Sequence, residues 1–91
     1  MVKVVVLYAE APEPERYAVH AELCRRVEGG TFRHGSIFGS PTKSAYGYYA
    51  EWEFADRAAF DRAAASPEFA ATGKDALELG VRFELLFADA G

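Results

Sequence analysis

Two histidines and a set of aromatic side chains carry whatever chemistry this chain performs. His20 sits in a stretch where Tyr17, His20, Cys24 and Val27 recur at helical spacing, with Ala21 and Leu23 beside them. That stripe faces a sheet, and across it stand Tyr8, His34, Tyr48 and Trp52. An imidazole titrates near neutral pH and serves as a general acid or base. Tyrosine hydroxyls orient a phenol or a carbonyl, and an indole stacks on a flat ring. His20 is therefore the candidate catalytic residue, and Tyr8, His34, Tyr48 and Trp52 are the candidate ligand-binding residues. The structural alternative makes His20 a core histidine hydrogen-bonded to a tyrosine or a backbone carbonyl. His34, in mid-strand, sits at the mouth of the cleft if its strand is an edge strand; on the structural alternative it is a partly exposed strand residue.

Other constellations reduce to structure. Cys24 follows His20 by one helical turn, but zinc sites take three or four ligands and no further ligand is placed beside this pair. The reading there is a buried thiol and no metal site. Glu51 and Glu53 share a sheet face with Glu84, and Lys3, Arg33 and Arg82 beside them make ion pairs rather than an acid–base couple. The aromatic run from Ser44 to Tyr49 could stack on bases, yet the net charge of −4 argues against a nucleic-acid partner. Gly29-Gly30 and Gly35 form no phosphate-cradling fingerprint.

The elements that must position these residues follow from periodicity. Val2 to Tyr8 is an apolar, β-branched run that suits a central strand buried on both faces. Pro12 and Pro14 lead into a helix that runs to about Glu28 and stops at Gly29-Gly30. Thr31–Gly39 alternates, with Phe32, His34, Ser36 and Phe38 on one face. Ala45–Phe54 alternates again, with Tyr46, Tyr48 and Trp52 on the more apolar face, and Ser40–Ser44 between them reads as a hairpin loop. Asp56 caps a helix through Phe60 and Ala64. Ser66-Pro67-Glu68 starts another, which Gly73 ends, with one more turn from Asp75 to Leu79. Val81–Phe87 is the last strand. The order β-α-β-β-α-β is the ferredoxin-like arrangement of an α+β protein. Right-handed crossovers give a four-stranded antiparallel sheet of spatial order 4-1-3-2 with its helices on one face.

Length and composition bound the rest. A chain of 91 residues allows one domain, spanning 1–91. It has no apolar run of the roughly 18–20 residues that cross a bilayer, so no membrane is expected as partner. A single cysteine makes no internal disulfide, which points to the cytoplasm. Seven Phe, five Tyr and one Trp are more aromatic area than so small a core hides. The sheet face away from the helices carries Val5, Leu7, Ile37, Tyr49 and Leu86 among charges. The expectation is a homodimer that buries this face.

The residues also resemble a known family. Val4-Val5-Val6-Leu7-Tyr8, then Pro14-Glu15, Tyr17 and His20, are similar to the opening of EthD-type proteins, associated with ethyl tert-butyl ether degradation. The second half carries more of the likeness, in Trp52-Glu53-Phe54-Ala55-Asp56, Ala59-Phe60, Ala63-Ala64 and above all Ala65-Ser66-Pro67-Glu68. Asp75 and Gly80-Val81 fit the closing segment. The family carries a second histidine on its first helix and a Pro-Gly helix end; this chain has His20 alone and Glu28-Gly29. The resemblance implies a dimeric α+β barrel with a ligand cleft between helices and sheet. It also implies a small apolar or aromatic ligand and, if a reaction takes place, oxygenation without a cofactor or a proton-transfer isomerisation. Two other readings stand beside it: a haem-binding or haem-degrading protein with His20 or His34 as axial ligand, and a carrier that performs no reaction.

Overall fold

The computed structural model describes all 91 residues. β1 (Val2–Tyr8) shows how its sequence is used. Val2, Val4, Val6 and Tyr8 are buried under the helices, while Lys3, Val5 and Leu7 on the opposite face are only half-buried. The continuous apolarity of the run thus serves two faces, and a single chain covers only one of them.

The remaining elements are α1 (Pro14–Arg25), β2 (Gly30–Ser36), β3 (Tyr48–Phe54), α2 (Arg57–Ala64), α3 (Pro67–Glu78) and β4 (Phe83–Asp89). The sheet order is β2-β3-β1-β4, every neighbouring pair antiparallel, as the crossover rules predict. Tyr8 pairs with Tyr48 and Phe83, Val4 with Trp52 and Phe87, and Phe32 with Trp52. One face of the sheet therefore presents Tyr8, Tyr48, Trp52, His34 and Phe83 toward the helices. No helix is long and apolar enough to cross a membrane.

Local chemistry explains the helix starts. Pro14 occupies the first turn of α1, and the Glu13 carboxylate accepts from the Arg16 backbone N–H at 2.6 Å. Asp56 caps α2 through the Ala59 N–H at 2.8 Å, and Ser66 caps α3 through the Phe69 N–H at 3.2 Å. Trp52 packs against Phe32 and Phe69, with its indole N–H donating to the Cys24 carbonyl at 3.0 Å. That bond satisfies a carbonyl at the end of α1 and fixes the indole in the core.

Four boundaries differ from the periodicity. The first helix ends at Arg25 rather than near Glu28; the chain turns there, and Gly29 takes a φ of +88°. Gly73 does not end a helix. It lies inside α3, which runs on through Asp75 because Phe69, Thr72 and Ala76 form one inward stripe. The stop is Gly80, with a φ of +74°. The hairpin loop is longer than five residues, since β2 ends at Ser36 and β3 begins at Tyr48. Tyr46 and Phe38 thus leave the sheet, and the Gly47 N–H turns to the Tyr8 carbonyl at 3.0 Å. β4 starts at Phe83 rather than Val81 and extends to Asp89.

The open face of the sheet carries Val5, Leu7, Tyr49 and Leu86. Around them Lys3 and Arg33 both reach Glu51 at 3.4 Å. Leu85 and Phe87 on β4, and Leu77 on α3, are also exposed.

Candidate functional site

His20 is brought to the sheet by the buried stripe of α1 and is 3% exposed. Its Nδ1 lies 2.8 Å from Oδ2 of Asp75 on α3. The same carboxylate is held by Arg16, one turn before His20, at 2.7 and 3.1 Å. Arg16, and then the bond to His20, hold the Asp75 carboxyl below the usual carboxylate range against the opposing effect of burial. An ionised carboxylate has no proton to give, so Nδ1–H of His20 donates and the lone pair of the neutral ring sits on Nε2. Every enclosed side-chain nitrogen and oxygen in the molecule has a partner. Nε2 has none, so it is not sealed.

The ring borders a narrow hollow of ≈ 50 Å³ between the sheet and helices α1 and α3. Val6, Tyr8, Trp52, Phe69 and Phe83 are among its walls, with Thr72, Gly73 and Ala76 along the α3 side. This is space for a few waters or the edge of one ring. The Tyr8 and Tyr17 hydroxyls are 3.2 Å apart, and burial raises both acidities' midpoints, Tyr8 to about 12. Both phenols are therefore neutral hydrogen-bonding groups.

The five residues expected to share one cleft divide between two openings. Tyr8, His20 and Trp52 border the hollow. His34 and Tyr48 lie on a wider groove of ≈ 460 Å³ between α1 and the edge strand β2, rimmed by Pro12, Glu22, Arg25 and Ser36. There the His34 Nδ1 and Tyr48 hydroxyl are 2.6 Å apart, and burial, then Arg25, lowers the His34 pKa from its ordinary value. Tyr17 stands between the two openings, with its ring 5.2 Å from His20 and 5.0 Å from His34. Trp52 is too deeply packed to offer a free stacking face; only part of its ring reaches the hollow.

Asp75 and Arg16 are the residues that sequence reasoning missed at this site. A helix ended at Gly73 hides Asp75, whereas a helix continued through it puts Asp75 one turn beyond Thr72 and beside the inward stripe. The expectation that no carboxylate stands near His20 is corrected accordingly.

A porphyrin has no room beside His20 in a hollow of ≈ 50 Å³. The groove at His34 is larger and mixes apolar walls, among them Pro12, Pro14, Ala18 and Ala21, with Glu22, Arg25 and Ser36, and the His34 Nδ1 there is engaged with the Tyr48 hydroxyl at 2.6 Å. No group of three or more His, Cys, Asp or Glu is placed to hold a metal ion.

No protein-family model and no curated protein matches the chain. Solved structures do. An EthD family protein from Bacillus halodurans superposes with a TM-score of 0.82 at 25% identity, over 100% of this chain and 99% of that one. A dimeric ferredoxin-like protein from Jannaschia gives 0.70 at 22% identity, over 98% of each chain. A variant of SnoaB, a cofactor-independent oxygenase from Streptomyces nogalater, gives 0.63 at 25% identity, over 98% of this chain and 91% of that one. The likeness carried by Trp52–Asp56 and Ser66-Pro67-Glu68 is thus matched by the fold of the whole chain.

Proposed function

We propose that this EthD-like chain acts as a homodimer and takes the edge of one ring of a small, largely apolar molecule into the hollow at His20. There the imidazole accepts and returns a proton. The observation that carries this reading is the buried His20–Asp75 pair, whose ring borders a hollow walled by aromatic side chains. When Nε2 takes a proton, the ring becomes an imidazolium, and the Asp75 carboxylate stabilises that charge where little water reaches it. The proton comes from a phenol or from a carbon next to a carbonyl, leaving a phenolate or an enolate. Reprotonation at a second carbon is an isomerisation. Attack of the carbanion on dioxygen is an oxygenation without a cofactor, the class of reaction for which the SnoaB neighbour is described. The dimer is supported by the apolar open face of the sheet and by the dimeric ferredoxin-like neighbours.

Trp52 is the chain's single tryptophan and borders the hollow, so its emission reports occupancy. A naphthol should change that emission saturably. His20→Ala should weaken the naphthol about tenfold, by loss of one hydrogen bond to a buried group, and leave its methyl ether nearly unaffected. Equal losses for both compounds, or no saturable binding by the unaltered protein, would overturn the reading.

A further inference from the structure

The open sheet face decides how a second copy docks, and the docking decides what covers the hollow. Two like sheets that bury the same face with their strands aligned can be related by a two-fold axis running across the strands or along them. An axis across the strands at their midpoints lays each strand over its own copy. Arg33, Glu51, Val5 and Leu86 stand at one level of the register. That axis therefore sets Glu51 against Glu51 of the partner subunit and Arg33 against Arg33 of the partner subunit, both repulsive. An axis along the strands lays β3 over the partner's β1 with levels preserved. Glu53 then meets Lys3 of the partner subunit, and Tyr49 meets Leu7 of the partner subunit. Glu51 comes over Val5 of the partner subunit and Arg33 over Leu86 of the partner subunit, and no like charges face each other, so the avoidance of like-charge contacts selects this second arrangement.

Its consequence lies at the edges. β2 and β4 are the two outer strands, and the along-strand axis brings β2 of one copy beside β4 of the other. Ser36 shares a level with Tyr48, Tyr8 and Phe83, so the chain leaving β2 arrives where β4 begins. Phe38 stands two residues past that level and is 103% exposed. At the start of β4 is a groove of ≈ 320 Å³ lined by Ala76, Leu77, Gly80, Val81, Arg82 and Phe83, where Leu77 is 77% exposed. This groove shares Ala76 and Phe83 with the hollow at His20 and so adjoins it.

We infer that Phe38 of the partner subunit seats in this groove, so that each hollow is walled by an aromatic side chain from the other copy. The inference rests on the hollow being the binding site. It makes the ligand's outer part lie against a residue that its own subunit does not supply, and it explains why a bare phenylalanine is carried on a polar loop.

Cysteine pairs test the docking without any ligand. Cys24 is buried and its thiol is pushed up to about 12, so it stays silent. Phe38→Cys with Leu77→Cys in one chain should give a covalent dimer with a short bis-maleimide. Arg33→Cys alone should give none. A covalent dimer from Arg33→Cys, or none from the double variant while the protein sediments as a dimer, would overturn the inference. Phe38→Ala should remain a dimer and bind the naphthol about tenfold more weakly, as for one lost ring contact. Unchanged affinity would remove Phe38 from the site. The cross-linking result stands whether or not the naphthol binds, which separates failure of the docking from failure of the site.

Discussion

The Arg16–Asp75–His20 cluster ties helices α1 and α3 together by charge as well as by packing. Asp75→Asn keeps the shape but leaves Arg16 without its counter-charge and His20 without its charged acceptor. It should cost about 1–3 kcal/mol, read as a lowered denaturant midpoint. The pH dependence has a definite sign. The folded carboxyl titrates below its unfolded value near 3.9, so the unfolded chain binds the proton first as pH falls. The stabilisation is complete above that value and fades as pH drops through the lowered folded one. Acid unfolding followed by circular dichroism should therefore lose its Asp75-dependent part below about pH 4, and Asp75→Asn should flatten the profile there. In the neighbouring groove, His34 should titrate below the ordinary histidine value of about 6.5 in an NMR titration. Arg25→Ala should move it part of the way back, since burial is the larger cause.

At the scale of elements, glycines separate what spacing can reveal from what it cannot. Gly73 sits in mid-helix with nothing within 4 Å of an added Cβ, so Gly73→Ala should stabilise the protein by up to about 1 kcal/mol in thermal unfolding. Gly30→Ala should do the reverse, because its Cβ would fall 2.6 Å from the enclosed Phe54 ring. The order of elements, the sheet order and the capping residues Asp56 and Ser66 were legible because each rests on a local signal: alternation, helical spacing, or a short polar side chain before an apolar run. The Asp75–His20 contact was not, since the partners lie on different helices and a glycine between Thr72 and Asp75 imitates a stop. The division of the cleft was equally hidden. Tyr8, Tyr48 and His34 share a sheet face by parity, but only the placement of the Tyr17 ring decides that Tyr8 looks one way and His34 the other.

For the molecule as a whole, the open face is where a single substitution separates association from folding. Val5 is half-buried at the centre of that face and makes no part of the helix-side core. Val5→Asp should therefore leave the circular dichroism spectrum intact while converting the sedimenting species to one of 10.0 kDa. A 10.0 kDa species from the unaltered protein at micromolar concentration would count against the dimer. Tyr17 has a consequence at this scale too. It is the one aromatic ring that touches Tyr8 and His20 on one side and His34 and Tyr48 on the other, fastened by its hydroxyl to Tyr8. Packing on those four rings and one hydrogen bond are what keep the two openings apart. Were that ring to swing aside, the two chambers of each subunit would join into a through-passage from the rim of β2 to the edge of β4.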